Sequence, residues 1–319
     1  MRRPLFNAVR ILLSAAILFL LLRKLQIGSP SAILLNAKSG VAVTIVPVMI
    51  SWYLAGLKWR FVQPVTRRLT VQQSIKNTLI GLTYGYLLPG GQLMGEIGKY
   101  MHTRLDMVRR EGLAASIILD KIIGFVALTL VGAVGALADA QAPVFVRNIS
   151  VSLTIAGLFY ILTMTVLPLR KAIRAGAASL FSFLRIKKMS ALYDTMFPEY
   201  PRPHDILSCF GVSIVYQLTI GGIVYLLAQN VSVALPVTRL LWIWGIVGIV
   251  QSLPISYGGL GVRELSFVFL LSLYGVTGSS ALSLSLNIYL LLLIGACIGT
   301  ILIVIDVLKK RNGYRRVKT

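Results

Sequence analysis

Two short apolar segments in the second half of the chain are separated by a turn rich in proline and glycine. From Arg239 to Tyr274 the sequence is RLLWIWGIVGIVQSLPISYGGLGVRELSFVFLLSLY. As α-helices, Arg239–Leu253 and Val262–Tyr274 would each rise only about 20 to 22 Å, whereas the hydrocarbon core of a bilayer is about 30 Å thick. A break in a helix is tolerated at membrane depth only where protein or water covers the backbone. We therefore predict a re-entrant helical hairpin here.

An earlier stretch repeats this design. The apolar pieces Val71–Leu88 and Gly91–Arg104 are separated by Pro89-Gly90. We predict a second re-entrant hairpin, which enters the membrane from the opposite face because its flanking spans run in the opposite sense. This arrangement is typical of inverted-repeat transporters. The alternative, that proline and glycine only kink two ordinary helices, stays open at this point.

The composition indicates that the bilayer is the solvent of this protein. Of its 319 residues 56% are hydrophobic and 13% charged, and the mean hydropathy is +0.81. The apolar runs are continuous rather than alternating, which favours helices over a β-barrel. We predict an all-α polytopic domain over residues 1–319, with a first repeat at 41–137 and an inverted second repeat at 204–308. The predicted full spans are Leu5–Leu22, Val41–Leu57, Gly112–Leu137, Ile149–Leu167, Ile206–Gln229 and Ser280–Val307.

The distribution of basic residues predicts the orientation. The net charge is +22, and most of the 32 Lys and Arg residues lie in loops on the side of the N-terminus. Positive charge accumulates in cytoplasmic loops, so we expect a multi-pass protein of a bacterial inner membrane with both termini in the cytoplasm. The charge also favours anionic lipid rather than nucleic acid as partner. Residues 168–203 form a basic cytoplasmic linker, either an amphipathic helix on the leaflet or a solvated loop.

Charged residues inside membrane segments are costly and are therefore candidates for function. They are Glu96, Asp120, Lys121, Arg263 and Glu264. A broken helix presents N–H groups and the positive end of its dipole to a phosphate, and we expect Arg263 to add a forked contact to it. The three carboxylates would shape or gate a polar groove. Alternatively, these charges pair with one another and lock the hairpins.

The residues of the two breaks complete the predicted site. Glycine lets a head group approach the backbone closely, and an aromatic ring beside it would line the groove. The residues concerned are Gly90, Gly91, Gly258, Gly259, Gly261 and Tyr257. No pattern for a catalytic triad, a metal site or a nucleotide-binding loop is evident. We therefore expect no catalytic residue, no metal and no cofactor, and a transporter rather than an enzyme.

Three segments together resemble a known family: LPGGQLMGE at 88–96, AASIILDK at 114–121 and LPISYGGLGVRE at 253–264. They are similar to the lysylphosphatidylglycerol synthase transmembrane-domain family, whose members are also called flippase-like membrane proteins. Lys99 departs from the arginine expected after the first segment. The chain ends at Thr319, and we do not expect the soluble synthase domain or its aminoacylation activity.

The resemblance implies flippase-like transport of an anionic phospholipid or a polyprenyl-linked lipid. An alternative from a different class is a membrane partner that presents lipid to a separate glycosyl- or aminoacyl-transferase without transporting it. A weaker third alternative is a membrane-embedded transferase that acts on lipid carriers. The candidate protein partners are such a transferase and a second copy of the chain.

Overall fold

A computed structural model of the chain describes residues 30–64, 68–87, 91–106, 112–166, 168, 201–252 and 259–316. Within these ranges the chain forms nine α-helices and no β-strand. In chain order they are α1 Pro30–Phe61, α2 Val71–Leu87, α3 Gly91–Asp106, α4 Leu113–Ala138, α5 Val144–Thr165, α6 Pro203–Asn230, α7 Val237–Ser252, α8 Val262–Ser272 and α9 Gly278–Arg316.

Five of these helices, α1, α4, α5, α6 and α9, contain apolar stretches long enough to cross a bilayer. The stretches are 22 to 32 residues long, with mean hydropathy between 1.6 and 2.9. They correspond to five of the predicted spans, and the all-α polytopic class is confirmed. The remaining span, Leu5–Leu22, and nearly all of the linker 168–203 lie outside the described residues, so the total number of spans stays a prediction. Helix α5 begins earlier than predicted, at Val144, with Pro143 as its N-cap residue, whose carbonyl oxygen accepts from the N–H of Arg147 at 3.2 Å.

The other four helices are the halves of the two predicted hairpins. In the first hairpin α2 and α3 pack tightly, because glycines line their contact: a Cβ on Gly81 would lie 3.1 Å from the carbonyl oxygen of Gly95, and one on Gly85 would lie 3.4 Å from Cα of Gly95. Gly81 also approaches Lys99, so the two helices run antiparallel. Helices α7 and α8 form the second hairpin. The first break, residues 88–90, lies outside the described residues, as do residues 253–258 of the second break.

The chain contains two units, α1–α4 and α6–α9, and helices of one unit pack on helices of the other. Helix α1 packs on α6, α2 packs on α9, and α4 packs on α7. If α1–α4 are matched in order with α6–α9, the contact of α2 with α9 corresponds to that of α7 with α4. The contact of α1 with α6 corresponds to itself. Helices α1 and α6 run antiparallel, since a Cβ on Gly40 would lie 3.0 Å from Leu227, and Arg68, just after α1, pairs with Asp205 at the start of α6 at 2.5 Å.

Two carboxylates, Asp139 and Asp306, pair with basic residues of the other unit at opposite ends of the molecule. Asp139, directly after α4, receives two hydrogen bonds from Arg239 at the start of α7, at 2.8 and 2.9 Å. Asp306, near the end of the span in α9, is 2.5 Å from Lys76 near the start of α2 and 2.9 Å from His102. Asp306 therefore joins two parts of the fold that are distant in sequence.

Glycines allow α4 to cross α7 closely and α9 to cross α2 closely. A Cβ on Gly132 of α4 would lie 3.3 Å from Cα of Gly245 in α7. In α9, a Cβ on Gly295 would lie 2.8 Å from Leu82, and one on Gly299 would clash with the carbonyl oxygen of Leu79. Small residues let membrane helices approach one another closely. The crossings therefore bring the two units into close contact.

Candidate functional site

A cavity of about 640 Å³ lies between the two units. Its wall is formed by α1, α2, α3, α4, α6, α7 and α9, so both hairpins and all four flanking spans contribute. This volume falls within the range of about 300 to 1,000 Å³ that is usual for small-molecule sites. We call it the central cavity.

One part of the wall carries all the ionisable acidic and basic side chains that line the central cavity within the described residues. They are Lys58, Glu96, Lys99, Asp120 and Lys121, and we call them the charge cluster. Lys58 Nζ donates to Asp120 Oδ1 at 2.6 Å, and Lys121 Nζ is 2.9 Å from Glu96 Oε1. Lys99 Nζ lies between the two pairs, 3.7 Å from Asp120 and 3.9 Å from Glu96.

Helical geometry explains why these side chains meet. Asp120 and Lys121 are consecutive in α4, so they point in different directions: Asp120 is buried against Lys58, while 49% of the Lys121 side chain is exposed. Glu96 and Lys99 are three residues apart in α3 and share one face. Gly124, one turn after Asp120, leaves room for Lys58, whose Nζ would lie 3.4 Å from a Cβ there.

Aromatic side chains and an amide surround the cluster. Lys99 Nζ lies 3.9 Å from the centroid of the Trp59 ring, and Lys58 Nζ lies 5.9 Å from that of Tyr216. Farther along the wall, Trp244 Nε1 donates to Gln217 Oε1 at 3.3 Å. The cations are thus stabilised by ring faces as well as by carboxylates. The site can hold an anionic or hydrogen-bonding group against a wall that is otherwise largely apolar.

Arg263 and Glu264 do not line the central cavity. Both side chains are fully buried and form an ion pair with each other. Arg263 Nε also donates to Ser285 Oγ at 3.0 Å, and Glu264 Oε2 accepts from the N–H of Gly261 at 2.6 Å. Glu264 therefore caps the start of α8. For this pair, the structure matches the alternative in which the charges lock the second hairpin.

Two tyrosines connect this buried pair to the central cavity. The Arg263 guanidinium lies 5.0 Å from the Tyr289 ring, and Tyr289 makes an edge contact with Tyr86 at 6.2 Å between centroids. Tyr86 lines the cavity. Within the described residues Arg263 Nη1 has no hydrogen-bond partner. The expected single groove is therefore divided: Glu96, Asp120 and Lys121 line the cavity, and Arg263 and Glu264 lie behind an aromatic layer.

Three glycines at the two breaks have backbone conformations that other residues rarely adopt. Gly91, Gly259 and Gly261 have φ values of 62°, 84° and 83°, in the left-handed region that disfavours side chains. A Cβ on Gly259 would also lie 2.6 Å from Nε2 of Gln251, which lines the cavity. The predicted site residues Gly90, Tyr257 and Gly258 lie outside the described residues.

The residues predicted for the site did not include Lys58, Lys99, Trp59 or Tyr216. Lys58 directly follows the predicted span Val41–Leu57, and the prediction therefore left it in the basic loop after that span. A usable signal was present, because Trp59 and Val62 continue the apolar pattern beyond Lys58 and both are fully buried. In the part of the chain with described coordinates, no group of three His, Cys, Asp or Glu side chains could hold a metal ion.

Comparison with known proteins gives one match. The model of the family described as "Lysylphosphatidylglycerol synthase TM region" matches residues 7–299. Neither the curated proteins nor the solved structures gave a match.

Proposed function

Because the chain belongs to the lysylphosphatidylglycerol synthase TM-region family, we propose that it moves the head group of a phospholipid or lipid-linked substrate across a membrane. The observation that carries this proposal is the charge cluster on the wall of a cavity between the two units. Ionisable residues are rare at membrane depth unless they serve a substrate path or lock helices together. In this proposal they do both.

The wall of the cavity suits a lipid that crosses with its head group inside protein. The charged part offers ammonium and carboxylate groups to the head group, and the rest of the wall is mainly apolar. A polar head group loses its water in the membrane, and fixed charges replace the lost hydration. The acyl or prenyl chains would stay in the surrounding bilayer.

The way in which helices of one unit pack on those of the other supports movement of one unit against the other. The exchanged packing of α2 on α9 and of α4 on α7, with α1 antiparallel to α6, is what an inverted repeat would give. We propose that residues 41–137 and 204–308 are these repeats and that the hairpins are re-entrant. Alternating access would then open the cavity to one face at a time.

The predicted site residues take different roles in this proposal. Glu96, Asp120 and Lys121 contact the head group or hold the lysines that do so. Arg263 and Glu264 fix the second hairpin behind Tyr289. We place the protein in a bacterial inner membrane with both termini cytoplasmic, which puts the charge cluster toward the cytoplasmic half of the bilayer.

A blocked cavity tests this function. Ala55 lines the cavity, whereas Ala156 of α5 is exposed on the outside of the bundle. Purified wild type, Ala55→Phe and the matched control Ala156→Phe are reconstituted into vesicles that contain fluorescent lipids, and the lipid that reaches the other leaflet is measured by dithionite quenching. We expect Ala55→Phe to reduce the rate at least tenfold and Ala156→Phe to leave it within twofold of wild type.

Two results would contradict the proposal. Equal rates for wild type and Ala55→Phe, with both proteins folded, would show that lipids do not pass through the central cavity. No lipid movement by the wild type, together with its co-purification with a membrane transferase, would favour the alternative of a protein that presents lipid to a separate enzyme.

A further inference from the structure

The three lysines of the charge cluster are not equally paired. Lys58 and Lys121 each contact one carboxylate oxygen at hydrogen-bond distance, 2.6 Å to Asp120 and 2.9 Å to Glu96. Lys99 is 3.7 and 3.9 Å from the same two carboxylates, which is longer than a hydrogen bond. The carboxylates are therefore already engaged by the other two lysines.

The charges that line the cavity within the described residues do not balance. Three ammonium groups face two carboxylates, so one positive charge remains, and the contact distances place it on Lys99. Only 4% of the Lys99 surface is exposed. A buried charge without its own counter-ion is costly, and Trp59 at 3.9 Å offsets part of that cost only. An anion in the cavity would complete the balance.

We propose that the central cavity selects lipids whose head group carries one net negative charge, as in a phosphodiester, and that Lys99 is the direct ligand of that phosphate. This rests on the proposed function and specifies the substrate class for the same site. The ammonium group has three N–H donors, and Trp59 holds it from one side. A charge-assisted hydrogen bond to a phosphate oxygen is among the stronger polar contacts in proteins.

The apolar part of the wall identifies the source of the anion as a lipid rather than a free phosphate. Leu82, Leu128 and Leu291 line the same cavity as Lys99. A small hydrated anion gains nothing from such a wall, whereas the glycerol and first methylene groups of a lipid would bury apolar surface there. A head group with an additional ammonium would meet Lys99 as a like charge, and we expect it to be disfavoured.

The test compares head groups that differ in charge. Binding to the purified full-length chain is measured by native mass spectrometry, and movement is measured in phosphatidylcholine vesicles with a trace of fluorescent probe. The probes are phosphatidylglycerol with one negative charge, zwitterionic phosphatidylcholine, aminoacylated phosphatidylglycerol with one net positive charge, and the phosphomonoester phosphatidic acid. Diethyl phosphate, a phosphodiester without tails, is the soluble competitor.

We expect wild type to prefer phosphatidylglycerol over phosphatidylcholine by about tenfold or more, because both lipids offer a phosphate oxygen to Lys99 but the choline ammonium adds a like charge beside it. Lys99→Met should abolish this preference, and Lys99→Arg should retain it. Lys38→Met, which removes an exposed lysine far from the cavity in α1, is the matched control and should leave the preference unchanged. Should Lys99→Met not fold, Glu96→Gln provides a second test, because it increases the surplus positive charge and should shift preference toward the phosphomonoester phosphatidic acid.

The outcomes separate this inference from the proposed function. Lipid movement without a preference for negative charge, or with a preference for the aminoacylated lipid, overturns the inference and leaves transport intact. Binding of phosphatidylglycerol that depends on Lys99, without movement, supports the inference and overturns transport. Displacement of the lipid by diethyl phosphate at equal concentration would identify a soluble anion as the ligand and overturn the lipid assignment. Absence of binding to every probe overturns both.

Discussion

Asp120→Asn should destabilise the protein more than Lys58→Met, although the two residues share one ion pair. The pair is buried, with side-chain exposures of 9% for Lys58 and 5% for Asp120 and a distance of 2.6 Å. Removal of one partner of a buried pair costs about 3 to 5 kcal/mol, because the other charge then stays buried without a counter-charge.

The second neighbour of Asp120 makes the two substitutions unequal. In Lys58→Met the Asp120 carboxylate still has Lys99 at 3.7 Å. In Asp120→Asn, Lys58 loses the only carboxylate within 4.0 Å of it among the described residues. We therefore expect about 3 to 5 kcal/mol for Asp120→Asn and about 1 to 3 kcal/mol for Lys58→Met.

A double-mutant cycle measures this coupling. The free energy of unfolding of wild type, both single variants and the double variant is determined in mild detergent by denaturant titration with circular dichroism. Lys38→Met is the control for loss of an exposed lysine. The double variant should cost less than the sum of the single variants, by about 0.5 to 3 kcal/mol. Equal costs for the single variants, or a double variant that costs their full sum, would refute the assigned pairing.

The remaining predictions concern the ends and crossings of the helices. The hydrogen bonds from Arg239 hold the pKa of Asp139 well below its usual value of 3.8, so this carboxylate stabilises the fold at neutral pH and loses that effect as the pH falls below its usual pKa toward the lowered one. Thermal unfolding at pH 7 and pH 3 should therefore show a smaller acid-dependent loss in Asp139→Asn than in wild type; an unchanged loss would contradict the pairing. Gly299→Ala should lower the unfolding temperature because its Cβ would clash with Thr83. Gly222→Ala should leave that temperature unchanged or raise it, since nothing lies within 4 Å of a Cβ there, and equal effects of the two alanine substitutions would refute the close crossing.

Much of the helix arrangement was accessible from sequence because its signals are local. Long apolar runs define the spans, and proline with glycine defines the ends of the hairpin helices. Helix α2, for example, was predicted to end at Leu88 and the structure describes it to Leu87. Glu96, Asp120 and Lys121 were also accessible, since a charged side chain within an apolar segment is conspicuous in the sequence itself.

Other features depend on partners that are distant in sequence. Lys58 was grouped with a basic loop because the sequence does not specify whether a lysine near the end of a span points inward or toward water. Arg263 was expected to bind phosphate, but its Nε is hydrogen-bonded to Ser285 in α9 and one of its terminal nitrogens contacts Glu264. The partners of Asp306 were likewise not evident from its neighbours along the chain.

The sequence by itself determined that this protein is a helical bundle with two pairs of short, interrupted helices, because hydropathy and helix-breaking residues act over a few turns. The tertiary structure decided which charges face one another. It placed Lys58, Lys99 and Lys121 around two carboxylates at a cavity and closed Arg263 and Glu264 into a separate pair. The physical reason is that the energy of a charge depends on the distance and burial of its partners, and these follow only from the packing of α1, α3 and α4 around the cavity and of α8 against α9.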